Sequence, residues 1–175
     1  MENVANLKRS IVLVGMMGCG KTAVGSRLAM ELEVPFYDLD EEIEKNEKMT
    51  VAEIFSQKGE EFFRKCETDA IKDILNSKLC VLATGGGAYI REQNREIIKK
   101  LATCVYIRAE FEVLLERVSR KNTRPLLEAG DKAKILSDLM EIRCPIYEQA
   151  DLIVDSTTGD HYEVVEQIIK GLKIE

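Results

Sequence analysis

Short apolar runs recur along the chain, at Ile11–Val14, Val34–Tyr37, Leu79–Ala83, Thr103–Ile107 and Leu152–Val154. They are nearly continuous rather than alternating, which is the pattern of strands buried on both faces of a parallel sheet. Between them, the segments Thr22 to Leu32 and Arg91 to Leu101 place apolar residues three and four apart, as amphipathic helices do. Strands alternating with helices predict a layered α/β fold. Thr50 and Glu53 have the spacing of a capping box, so a helix is predicted to start there. Residues 119–130, Ser-Arg-Lys-Asn-Thr-Arg-Pro-Leu-Leu-Glu-Ala-Gly, break the pattern with charge and turn formers between two helical segments. They read as a mobile loop over a site.

The 175 residues suit one compact domain that needs no disulfide or structural metal, and 45% apolar with 32% charged residues is a globular composition. A net charge of −6 argues against nucleic acid or an anionic membrane as partner, since both select clustered positive charge. The run Ile11–Val14 is too short for a signal peptide or membrane span, and a cytoplasmic location is expected. Five scattered cysteines without a C-x-x-C pair, and the single His161, exclude a disulfide scaffold, a zinc site and a Cys-His nucleophile.

Directly after the first strand, Gly15-Met-Met-Gly-Cys-Gly20-Lys21-Thr22 fits G-x-x-x-x-G-K-[ST] and runs into a helical pattern. Glycines let the backbone curl so that successive N–H groups face phosphate oxygens, and the helix adds the positive end of its dipole. Lys21 supplies a point charge to the β- and γ-phosphates of a nucleotide, and the Thr22 hydroxyl is a Mg²⁺ ligand. Two readings stand for Cys19: a small, innocent side chain, or a thiol activated at the helix end.

Asp38 and Asp40 lie at the carboxyl end of the second strand, the edge where open α/β sheets bind ligands. If the strand continues that far, their spacing puts both carboxylates on one face. One would then serve Mg²⁺ or the proton of an attacking hydroxyl and the other would bind substrate hydroxyls. The simpler reading is that Asp40 caps the next helix. Glu41, Glu42 and Glu44 read as a solvated first turn.

Arg64 follows Phe62 and Phe63 on a helix and either emerges at a cleft rim or forms a surface ion pair with Glu60 or Glu67. Thr84-Gly85-Gly86-Gly87 ends the third strand, as a plain flexible loop or as a place of close backbone approach. Arg143 lies on a late helix that Pro145 is expected to end or kink. Arg124, before Pro125 in the mobile loop, has the character of a residue that swings in on phosphoryl charge.

Taken together, these motifs resemble the shikimate kinase family over nearly the whole chain. The resemblance rests on the P-loop, Phe36-Tyr-Asp-Leu-Asp40, Gly59-Glu-Glu-Phe-Phe-Arg64, Leu82-Ala-Thr-Gly-Gly-Gly87, Arg124-Pro-Leu-Leu127 and Arg143-Cys-Pro-Ile-Tyr147 followed by Ala150-Asp151, all in one order. It implies a three-layer P-loop kinase with a five-stranded parallel sheet of order 2-3-1-4-5, a lid near 119–130 and a substrate-binding region near 38–66. It also implies transfer of the γ-phosphoryl group of ATP to the 3-hydroxyl of shikimate, giving shikimate 3-phosphate and ADP. On this resemblance Gly18, Cys19, Gly20, Lys21, Thr22, Ala23 and Arg124 hold ATP, and Thr22 holds Mg²⁺. Lys21, Asp38 and Arg124 are catalytic, and Asp40, Arg64, Gly86 and Arg143 bind shikimate. Arg117 or Arg120 is the alternative left open for an adenine contact, and a monomer is expected. The rival readings are a gluconate kinase-like enzyme and a catalytically silent nucleotide-binding regulator.

Overall fold

A computed structural model describes residues 7–120, 131–157 and 159–174. Strands β1 (Ser10–Val14), β2 (Phe36–Asp38), β3 (Val81–Ala83), β4 (Ala102–Arg108) and β5 (Leu152–Asp155) form a parallel sheet in the order β2-β3-β1-β4-β5. Val12 of β1 pairs with Leu82 on one side and Cys104 on the other. Every residue of β1 and β3 is buried. Successive strand residues point to opposite faces, so both faces are covered, as the continuous apolar runs require.

The helices are α1 (Lys21–Glu31), α2 (Leu39–Glu47), α3 (Val51–Lys58), α4 (Glu60–Ser77), α5 (Glu92–Leu101), α6 (Phe111–Arg120), α7 (Lys132–Tyr147) and α8 (His161–Gly171). Helix α1 packs against α8, and α4 against α2, α3 and α5. The carboxyl ends of β1, β2 and β3 therefore open on one edge, where the P-loop, Asp38 and the triple glycine all emerge.

Several local expectations hold and several fail for physical reasons. The capping box is complete: Glu53 N–H donates to Thr50 Oγ1 at 3.1 Å, and Thr50 N–H donates to Glu53 Oε2 at 2.8 Å. Strand β2 begins only at Phe36. Val34 N–H is engaged by the Ala29 carbonyl at the end of α1, and Glu33 turns the chain with φ of 54°. Strand β3 begins at Val81, leaving Leu79 42% exposed.

The strand does not reach Asp40. Asp38 leaves the strand to cap α2, its Oδ1 accepting from Asp40 N–H at 3.1 Å and Glu41 N–H at 3.3 Å, so Asp40 sits on a helix. The cap is Asp38, not Asp40. Glu44 is more than a solvated charge, because its Oε1 accepts from Val51 N–H at 3.0 Å and closes the α2–α3 turn. Pro145 does not end its helix either. Helix α7 continues to Tyr147, since a proline forfeits a single hydrogen bond while the buried Arg143 and Tyr147 hold that last turn against the core. Most of the expected lid, from Lys121 to Gly130 and including Arg124, lies outside the described residues.

Candidate active site

The loop after β1 is shaped by backbone. Gly15, Gly18 and Gly20 have φ of 149°, 82° and 97°, values that side chains other than glycine rarely adopt. At Gly15 a Cβ would also lie 2.6 Å from the Ile107 carbonyl oxygen. Gly20 caps α1, whose first turn carries no acidic residue, so the positive end of the helix dipole stays uncompensated for an anion. Lys21 Nζ folds over the loop and donates to the carbonyls of Gly15 (2.8 Å) and Met16 (3.0 Å). Ala23 follows in the first turn of α1.

Cys19 faces the interior, with Lys21 Nζ at 3.6 Å from its sulfur and no exposed surface. Reactivity needs access, so the structure favours the innocent reading of this thiol. Thr22 Oγ1 donates to Asp38 Oδ2 at 2.8 Å. The predicted metal ligand and the predicted catalytic carboxylate thus meet directly. Two hard oxygens at the mouth of a phosphate loop suit Mg²⁺, which takes one or two protein ligands and completes its shell with phosphate and water.

The triple glycine answers to close approach, and what approaches is protein. A Cβ on Gly85 would lie 3.1 Å from Asp40 Oδ1, one on Gly86 would lie 3.0 Å from Arg143 Nη1, and one on Gly87 would lie 2.6 Å from both terminal nitrogens of Arg64. None of these three glycines lies in the left-handed region, so the need is for room rather than for an unusual turn. The four residues read as acceptor-binding are therefore assembled along one backbone stretch. The same Gly86 position lies 3.8 Å from the Gly15 carbonyl oxygen, which sets the acceptor wall directly beside the phosphate cradle.

Arg64 combines both of its readings. Its Nη1 donates to Glu67 Oε1 at 2.6 Å and its Nη2 to Glu60 Oε1 at 3.4 Å, yet the guanidinium also borders Gly87. Glu60 is 65% exposed and its pair contributes little, whereas Glu67 is 1% exposed and its pair fixes the guanidinium. Burial pushes the Glu67 carboxyl up to about 7, against the opposing pull of Arg64, with Asp40 nearby adding to the rise. Arg143 is 9% exposed and comes from α7, the helix that Pro145 fails to interrupt.

Three residues of the site were given no site role by the sequence. Glu67 was visible only as one of two routine ion-pair partners. Tyr147 entered only as the end of the Arg143–Tyr147 motif. His161 packs on the P-loop, its Cε1 lying 3.0 Å from where a Gly20 Cβ would stand, and its Nδ1 is buried without a hydrogen-bond partner among the described residues. Burial, then the cations Arg117 and Arg27, lowers its basicity. The two adenine candidates separate clearly. Arg117 donates to the Gly18 carbonyl at 3.1 Å and the Thr157 carbonyl at 2.7 Å beside the loop, while Arg120 turns outward to pair with Glu116.

The geometry has counterparts in known proteins. The family model described as shikimate kinase matches residues 17–173. A shikimate kinase of Cereibacter sphaeroides is 46% identical over 169 residues, covering 97% of this chain and 85% of its own length. The shikimate kinase of Acinetobacter baumannii, solved in complex with shikimate, superposes with a TM-score of 0.90 at 37% identity, covering 94% of this chain and 93% of that one. A gluconokinase from Sinorhizobium meliloti shares only the fold, at 21% identity and a TM-score of 0.61 over 94% of this chain and 91% of its own. With a family match over residues 17–173 joined to a P-loop that abuts an arginine-lined glycine triplet, the chain belongs to the shikimate kinase family.

Proposed function

We propose that this protein phosphorylates the 3-hydroxyl of shikimate with ATP, using the residues gathered at the carboxyl edge of the sheet. The observation that carries the reading is the side-by-side placement of Asp40, Arg143 and Arg64 against Gly85, Gly86 and Gly87, next to the P-loop. Two arginines, one buried and one half-buried, converge on a small space and suit a planar carboxylate, which each can bind through paired N–H groups. Asp40 suits ring hydroxyls. A carboxylate with vicinal hydroxyls describes shikimate and leaves gluconate, which has no ring, a poorer fit.

In the reaction, the acceptor oxygen forms a bond to the γ-phosphorus as the bond to the β–γ bridging oxygen breaks, and ADP leaves with that electron pair. The hydroxyl proton passes to Asp38 or is directed by it to water, since Asp38 lies at the Thr22 hydroxyl where donor and acceptor meet. Lys21, the P-loop N–H groups and Arg124 of the lid meet the charge on the transferred oxygens. Thr22, with Asp38 alongside, would hold Mg²⁺, which would supply neutralisation of phosphate charge. The clamp aligns acceptor and donor, and alignment alone is worth several orders of magnitude.

We read the enzyme as a monomer of one domain working in the cytoplasm. Among the described residues no helix is long and apolar enough to cross a membrane. The test is ADP release with shikimate, with gluconate and with no acceptor. Release dependent on shikimate is expected, with gluconate near background. Equal or faster release with gluconate would overturn the acceptor, and background rates with every acceptor would favour a silent nucleotide binder.

A further inference from the structure

Arg143 is buried and Arg64 half-buried, and they are held by different chemistry. Arg64 is paired with Glu67 and Glu60. Arg143 makes no ion pair with any described residue. Something must orient a nearly buried guanidinium, because an unsupported one is costly to desolvate.

The group in position is Tyr147, one helical turn further along α7, with no exposed surface. Its ring packs on Tyr106 of β4 (centroids 5.2 Å apart) and beside Tyr89 (6.5 Å), which fixes where the hydroxyl can go. A buried phenol needs a partner for its O–H, and Tyr147 donates to the Gly86 carbonyl. That leaves oxygen lone pairs for a donor, and the Arg143 guanidinium lies close enough to the phenol to interact with it electrostatically. Both meet at one glycine: a Cβ on Gly86 would lie 3.0 Å from Arg143 Nη1 and 3.6 Å from Tyr147 Oη.

We propose that Tyr147 is a positioning residue for the acceptor clamp, its hydroxyl set between the Gly86 carbonyl and Arg143 so that a neutral group helps aim the guanidinium at the substrate carboxylate. A carboxylate in its place would orient Arg143 equally well but neutralise it, as Glu67 partly does for Arg64. Burial above all pushes the Tyr147 phenol far above its ordinary value, so it stays a neutral partner at any working pH. The clamp is then asymmetric. Among the described residues, one arginine is paired with carboxylates in advance and the other is not.

The inference rests on Arg143 contacting the acceptor, so its test includes that residue. In Tyr147→Phe, which keeps the buried ring, the shikimate KM should rise about tenfold, the range for a hydrogen bond to a charged group. The KM for ATP and kcat should stay within about threefold, and ADP affinity reports that the variant is folded. In an Arg143→Ala background the same change should add little, because the group it positions is gone. Gly86→Ala presses on the same contact from the other side and should likewise raise the shikimate KM while sparing ADP affinity, which keeps the test open if Tyr147→Phe folds poorly. Unchanged shikimate KM in Tyr147→Phe or in Gly86→Ala, or a full tenfold penalty persisting without Arg143, would overturn the positioning role. Unchanged shikimate KM in Arg143→Ala would instead overturn the clamp on which it depends.

Discussion

The phosphate cradle occupies one uninterrupted run from Gly15 to Thr22, whereas the acceptor wall draws on α2, α4, the loop after β3 and α7. The cradle is made of backbone: glycines in the left-handed region, a helix end and one lysine. The wall is made of side chains, and its glycines serve by their missing Cβ atoms. This contrast separates generality from selectivity. Phosphate is met by N–H groups that any such loop can offer, while a particular carboxylate and hydroxyl pattern has to be met by anchors brought from distant parts of the chain.

If the two regions do different work, they should fail differently. The largest effect is expected at the cradle. Lys21→Ala should lower kcat by about a thousandfold with a modest change in shikimate KM, because it removes charge that matters most in the transition state. A loss under tenfold in single-turnover measurements would remove Lys21 from that role. At the wall, Gly87→Ala sets a Cβ 2.6 Å from both terminal nitrogens of Arg64, so the guanidinium must move. The shikimate KM should rise by roughly tenfold or more with ADP affinity intact, as expected when one charged hydrogen-bond partner is lost. If Gly87→Ala weakened ADP as much as shikimate, the two regions could not be treated as separable.

A smaller effect sharpens the electrostatics of the wall. The folded Glu67 carboxyl titrates near 7, against an ordinary value of 4.5. A folded value above the unfolded one means that the native state holds an extra proton between them. Its contribution to stability is therefore complete below about pH 4.5 and is withdrawn as pH rises through 7. Glu67→Gln should flatten the fall in urea midpoint across that window relative to the parent protein. Identical pH slopes would show that Glu67 titrates normally. The smallest effect lies away from both regions: Thr50→Ala removes the capping hydroxyl of α3 and should cost about 1 kcal/mol in urea unfolding, with both substrate KM values unchanged.

The same contrast explains what the sequence could reveal. The cradle was legible because a strand, a glycine spacing and a helix lie consecutively, and each constrains the others. The strand order and the arginines of the wall were reached through resemblance, not through spacing, since nothing local in Arg64 or Arg143 distinguishes an anchor from a surface charge. Asp38 stands at the strand end as expected, but Asp40 was misplaced because a strand pattern cannot show that the carboxylate at its end will turn to cap a helix. Of the two outcomes expected at Pro145, an end or a kink, the end does not occur, because tertiary burial of Arg143 and Tyr147 holds the last turn. The reasons for the triple glycine were invisible for a related cause: the crowding atoms belong to residues tens of positions away in the chain.

The account's central claim is that a side-chain wall keyed to a carboxylate selects the acceptor for a generic phosphate cradle. The direct measurement is kcat/KM for shikimate against an analogue in which the carboxylate is replaced by a neutral group of similar size. With Arg64 and Arg143 left facing no anion, the analogue should fall by about a thousandfold, as sites built to bind a polar group reject substrates that lack it. Equal kcat/KM for the two compounds would contradict the account.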